Sequence, residues 1–197
     1  MTLRGTPFVF EGQEIGMTNG DFKDLGEVED IESHNVYAMA KKLGIPKGMR
    51  WKMIKSTSRD NARTPMQWSA ENGAGFTKGK PWLNINANHT AVNVANENER
   101  EDGVLSFWRK MISLRKSENA LIDGSFRSLY EGKQIYAFAR ELNGKRLVSV
   151  CNMSGKQKKL PSSLEALGRL KISNYEEGGE NVLNPFEFRL YESEGSL

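Results

Sequence analysis

Two arginines four residues apart, Arg59 and Arg63, stand in Arg59-Asp60-Asn61-Ala62-Arg63-Thr64-Pro65-Met66-Gln67-Trp68 and are the side chains best suited to holding a polar ligand. A guanidinium presents a rigid fork of donors that matches hydroxyls and carboxylates. The competing reading is structural: ion pairing to Asp60 or Glu14 would make both arginines loop braces. Trp68, Phe76 and Trp82, interleaved in the same irregular stretch, offer flat faces to sugar rings or anchors to the loop that carries them. Glu29, Asp30 and Glu32 gather ahead of a helix, where acidic residues ordinarily compensate the helix dipole. Carboxylates are too numerous for spacing alone to select an acid/base pair.

Residue types exclude several other chemistries. There are two histidines. His34 lies in an acidic helical segment and reads as solvated or helix-packing, while His89, in Asn88-His89-Thr90, reads as a loop surface residue, so no Ser-His-Asp triad is supported. Gly73-Ala74-Gly75 lacks the flanking strand and helix, and the lysine, of a phosphate-cradling loop. Cys151 is the single cysteine, so no internal disulfide forms and no Cys/His cluster offers a zinc site. No cofactor or metal is expected. The 28 basic and 25 acidic residues are interspersed, leaving a net charge of +3 without a stripe for nucleic acid or an anionic membrane. No segment approaches the roughly 20 apolar residues that span a bilayer, and no secretory leader is evident, so a soluble, cytoplasmic protein is expected.

The elements that must position these residues follow from periodicity. Gly5–Phe10 is a short β-rich apolar run bracketed by glycines and reads as a buried strand, one that needs neighbours on both sides. Helical stretches are expected over about Asp30–Leu43 and Met49–Thr57, and the clearest helix over Asn98–Asn119, with a broad apolar face and basic residues in its last turns. Between them lies a long stretch rich in Asn, Gly and Pro; loops of that length in compact domains are functional or disordered, and the aromatics argue for order and function. After Gly124 the pattern changes to short β-rich runs at Phe126–Tyr130, Ile135–Arg140, Leu147–Asn152, Leu170–Ser173 and Phe186–Tyr191. Turn signals such as Asn143-Gly144 and Glu177-Gly178-Gly179 separate them, which predicts an antiparallel β domain.

Taken in order, Gly5-Thr6-Pro7-Phe8-Val9-Phe10-Glu11-Gly12-Gln13-Glu14-Ile15-Gly16-Met17, Asp30-Ile31-Glu32, the segment from Arg59 to Trp68, Ala74-Gly75-Phe76-Thr77 and Lys80-Pro81-Trp82 closely resemble the oligo-1,6-glucosidase and α-glucosidase branch of glycoside hydrolase family 13. The resemblance covers about the first 120 residues. It implies an α/β plus all-β fold: the C-terminal end of a (β/α)8 TIM barrel, with Gly5–Phe10 as last strand, Glu11–Asn98 as a long active-site loop and Val104–Lys116 as last helix, followed by a small antiparallel β-sandwich. The implied division is 1–123 for the barrel portion and 124–197 for the β domain. Active sites of such barrels lie at the C-terminal ends of the strands, which places the long loop on that side. Family members hydrolyse α-glucosidic bonds by a retaining mechanism with an Asp nucleophile and a Glu acid/base, both upstream of the segment present here, so no catalytic residue is expected in this chain and the chain alone is expected to be inactive.

By motif match, Arg59 corresponds to an arginine that reaches the glucosyl unit at the cleaved position, Glu32 to an acid lining the neighbouring aglycone site, and Arg63 to an assistant or a loop brace. The implied partner is an α-linked gluco-oligosaccharide, bound by the full-length enzyme. Glu11 departs from the family, which usually carries Gln there. Met1 falls where the preceding barrel helix should be, so the sequence is expected to be part of a longer enzyme, through a truncated gene, an expression fragment or a misplaced start. Trehalose-6-phosphate hydrolases, dextran glucosidases and sucrose isomerases share these motifs, and a non-catalytic carbohydrate-binding or structural module is the alternative from another class.

Overall fold

The computed structural model describes residues 1–164, 167–176, 179 and 181–194; Glu177 and Gly178 of the expected turn lie outside them. The chain forms two compact units, Val9–Trp108 on its own, and Met1–Phe8 together with Arg109–Leu197.

In Val9–Trp108 the regular elements are α1 (Ile31–Lys42), α2 (Lys47–Thr57) and the short α3 (Val94–Asn98). Helix α4 (Val104–Ser117) begins in this unit and continues into the other. Gly44, at φ +74°, follows the end of α1 in the left-handed conformation that only glycine adopts without strain. The remaining chain is irregular but ordered, held by 3₁₀ turns such as Arg59–Ala62 and by a cluster of Phe22, Val28 and Leu83 on which Trp51 packs. These residues, rather than Trp68, Phe76 and Trp82, anchor the long loop: the three expected aromatics are about half exposed or more.

The second unit is built on a sheet of order β1-β2-β3-β7-β5, all neighbours antiparallel: β1 (Ser125–Glu131), β2 (Ile135–Leu142), β3 (Lys145–Asn152), β5 (Arg169–Ser173) and β7 (Phe188–Glu194). Asn143 and Gly144 join β2 to β3 with φ of 51° and 78°, the two positive values that a two-residue hairpin turn needs to follow the strand twist. β4 (Lys158–Lys159) and β6 (Val182–Leu183) form a separate ribbon. On one face of the sheet, Ala137, Ala139, Val148, Val150 and Tyr191 pack with Leu164, Leu167 and the ribbon's Leu183. On the other, Leu147 and Leu190 pack with Ala120 and Leu121 of α5 (Asn119–Ile122) and with Leu114 of α4. The antiparallel sheet is therefore as expected, whereas the layer opposite its first face is a two-stranded ribbon and loop rather than a full second sheet. The last expected strand begins later than expected, at Phe188, because Phe186 takes φ 54° in the turn before it.

Gly5–Phe10 departs from expectation. It carries no strand pairing, and its side chains are exposed, Phe8 at 92%. The residues favour β structure, but a strand must satisfy its N–H and C=O groups on a neighbour, and the strands among the described residues pair with one another. Its first residue and those before it are tied down by arginines instead. Arg115 donates to the carbonyls of Met1, Leu3 and Gly5, and Arg140 donates to that of Thr2.

Candidate functional site

The expected binding residues Glu32 and Arg59 come from two segments that the fold brings together within Val9–Trp108. Glu32 sits in the first turn of α1, just after Asp30, and Arg59 opens the 3₁₀ turn that follows α2. Helices α1 and α2 pack against each other, with Arg50 over the ring of Tyr37 at 4.7 Å, which sets the start of α1 beside the end of α2.

Two aspartates fasten the segments. Asp30 is 3% exposed and accepts from Arg59 Nε at 2.8 Å and Nη2 at 2.5 Å through Oδ1; its Oδ2 accepts from Ser33 Oγ at 2.9 Å and from the Arg59 backbone N–H at 3.3 Å. Asp60 is fully buried, and its Oδ2 accepts from the backbone N–H groups of Glu29 and Asp30 at 2.6 and 2.9 Å. Ser58 Oγ caps the turn by accepting from the Asp60 N–H. Hydrogen bonds from Arg59 hold the Asp30 carboxyl well below the usual carboxylate range against the opposing effect of burial, and Asp30 in turn raises the Arg59 guanidinium above its ordinary value. Both stay ionised at any working pH.

Glu32 Oε2 lies 3.6 Å from Arg59 Nη2, and both side chains are more than half exposed. Arg59 is thus gripped along its Nε/Nη2 edge by a buried acid, and an exposed acid approaches the same Nη2. Arg63 pairs with Asp60 Oδ1 at 3.4 Å, the bracing role weighed for it, and lines a hollow of about 320 Å³ with Phe10, Glu11, Met17, Phe76 and Trp82. Glu14 turns back onto the Gly12 N–H at 2.8 Å and does not brace either arginine. Glu11 is exposed at the rim of the hollow.

Both histidines are structural: His34 Nε2 lies 2.5 Å from the Val28 carbonyl, and His89 Nδ1 lies 3.0 Å from the Asn86 carbonyl. Among the described residues no group of three or more His, Cys, Asp or Glu can hold a metal ion, and no helix is long and apolar enough to cross a membrane. Burial pushes the Cys151 thiol up to about 11, which makes it a poor nucleophile. Sequence reading weighed Asp60 as an ion-pair partner of the arginines but missed Asp30 as the partner of Arg59 and the hold of Asp60 on the Glu29 and Asp30 backbone. Their signal was present as an Asp beside each binding candidate, but acidic residues near a helix start have a local explanation that hid it.

Arg59 is thus a loop-borne arginine paired with two carboxylates, and Arg63, four residues on, lines the aromatic-rimmed hollow. Residues 1–124 match the family model for the alpha-amylase catalytic domain, and the chain belongs to that family, glycoside hydrolase family 13. It is 36% identical over 195 residues to the oligo-1,6-glucosidase of Halalkalibacterium halodurans, an alignment covering 97% of this chain and 35% of that protein. Among solved structures it is similar to the trehalose-6-phosphate hydrolase of Bacillus licheniformis (TM-score 0.88, 31% identity, 97% of this chain and 36% of the other). It is likewise similar to the isomaltulose synthase of Klebsiella sp. LX3 (TM-score 0.86, 34% identity, with the same coverage). The chain thus spans about a third of the length of the curated relatives it matches.

Proposed function

We propose that this chain is the C-terminal portion of a cytoplasmic α-glucosidase of oligo-1,6-glucosidase type, in which residues 1–123 complete a (β/α)8 barrel and 124–197 form the appended β domain. The substrate is a short α-linked gluco-oligosaccharide, hydrolysed with retention, and the nucleophile and acid/base stand in the segment that the relatives carry upstream. The match of residues 1–124 to the catalytic-domain family supports the division, and the oligo-1,6-glucosidase relatives support the substrate class. The observation that carries the reading is the Arg59–Glu32 pair: an arginine and a carboxylate, both exposed, 3.6 Å apart and held on a buried acidic base. Arg59 donates to hydroxyls of the glucosyl unit, Glu32 accepts from hydroxyls of the departing sugar, and Arg63 braces the turn between them. Likeness to a trehalose-6-phosphate hydrolase favours, as a second reading, that substrate in place of an isomalto-oligosaccharide.

In the full-length enzyme, Arg59→Ala is expected to lower kcat/KM by roughly 10²-fold, equivalent to about 2.7 kcal/mol of transition-state stabilisation. Glu32→Gln is expected to change the preference between isomaltose and maltose while leaving an aryl α-glucoside far less affected, since it touches only the leaving sugar. Near-normal kcat/KM in Arg59→Ala would reduce that arginine to a brace, and an equal loss on every substrate would remove the role of Glu32. The isolated chain should release no 4-nitrophenol from the α-glucoside, because positioning residues cannot replace the covalent chemistry.

A further inference from the structure

Nothing in the pairing pattern of a surface ion pair requires the arrangement found around Arg59. The grip is reciprocal: Asp30, in the segment carrying Glu32, holds both the side chain and the backbone N–H of Arg59, while Asp60, next to Arg59, holds the backbone N–H groups of Glu29 and Asp30. Each carboxylate is buried and each spans to the other segment. Because both Nε and Nη2 of Arg59 converge on a single oxygen of Asp30, the guanidinium plane is set by that contact, and its Nη1 edge is turned away from the pairing. A free arginine of this exposure would sample many rotamers, and a sugar hydroxyl would have to order it on binding at an entropic cost.

We propose that Asp30 is a positioning residue for substrate recognition: it pre-orders the guanidinium of Arg59 so that the Nη1 edge meets the sugar, and Asp60 fixes Asp30 by anchoring its backbone. This rests on the reading of Arg59 as the sugar-binding arginine. Asp30 itself does not touch substrate; it is covered by Arg59 and Ser33 and acts through the arginine. It also divides the two acids that flank Arg59 by task, the buried one orienting the arginine and the exposed Glu32 remaining available to a ligand.

The test is a double-mutant cycle in the full-length enzyme on an aryl α-glucoside, with Asp30→Asn, Arg59→Ala and the pair. Asp30→Asn should lower kcat/KM by roughly 10-fold or more, in line with the cost of ångström-scale misplacement of a positioning group. In the Arg59→Ala background the same change should cost less than about twofold, since a residue that acts only through Arg59 has nothing left to act on. Each variant should remain fully folded under the assay conditions by urea titration, which separates lost orientation from lost fold. Additive losses in kcat/KM would overturn the proposal and make Asp30 a fold residue. A near-normal Arg59→Ala enzyme would instead overturn the reading of Arg59 on which it rests. In the chain itself, the Arg59 Nε–H resonance should be protected from exchange, and Asp30→Asn should abolish that protection; an unprotected Nε–H in the unmodified chain would also sink the idea.

Discussion

Replacing Glu192 tests how far the β unit depends on charge. Glu192 on β7 and Glu118 before α5 face Lys145 on β3 and Lys171 on β5 in a closed ring, with N···O distances of 2.6 and 2.8 Å to Lys145 and 2.8 and 2.9 Å to Lys171. The ring ties the end of the helical segment to three strands. Hydrogen bonds from Lys145 and then Lys171 pull the Glu192 carboxyl down from 4.5 to about 2, against a smaller opposing effect of burial. A carboxyl that titrates so low is stabilised as its anion by about 3 kcal/mol, and solvent reaching a ring whose members are a tenth to two fifths exposed trims this to about 1–2 kcal/mol. Since the folded value lies below the unfolded one, this stability is present above pH 4.5 and is lost as pH falls towards 2.

Glu192→Gln should therefore cost about 1–2 kcal/mol at pH 7, and the gap between variant and parent should close as pH approaches 2. The assay is urea unfolding followed by far-UV circular dichroism, because all four tryptophans, Trp51, Trp68, Trp82 and Trp108, lie in Val9–Trp108 and none reports on the sheet unit. A gap that stays constant from pH 7 to pH 2 would show that the loss is one of packing and would refute the electrostatic argument.

Two further outcomes are expected. Arg140 is fully buried and donates to the carbonyls of Thr2, Leu121, Ile122, Gly124 and Ser125, so Arg140→Met, which keeps the bulk but strands those acceptors, should cost at least about 3 kcal/mol in the same urea assay; a loss under about 0.5 kcal/mol would mean that water replaces the guanidinium. Chymotrypsin in limited digestion should cut first at Phe8 or Phe10, which are 92% and 54% exposed in backbone outside any strand, and first cuts within β2 or β3 would contradict the exposure described.

What the sequence made legible follows the range of the interactions involved. The helices and strands were readable because their determinants are local: the apolar face of α4, the β-rich runs of β2 and β3, and Asn143-Gly144, whose positive φ values need no partner elsewhere in the chain. Gly5–Phe10 shows the converse, since β propensity there predicts a strand that only neighbours can realise. The site sits between these cases. Arg59, Arg63 and Glu32 were visible as types in a motif, yet what holds them is a pair of contacts reaching 29 to 31 residues along the chain, Arg59 to Asp30 and Glu29 to Asp60. An acid beside a helix start and an arginine in a loop each have a sufficient local explanation, so neither advertises the other. Arg140 is the extreme instance. A charged residue near the end of a strand reads as solvent-facing, but the Arg140 guanidinium is enclosed by carbonyls at the end of α5 and by one carbonyl 138 residues away, and burial accordingly pulls its pKa below the ordinary arginine value. Charge in this chain is therefore deployed twice in the same manner: a guanidinium recruited from one segment satisfies acceptors that another cannot satisfy internally, Arg140 on the carbonyls around α5 and Arg59 on the buried Asp30 ahead of α1.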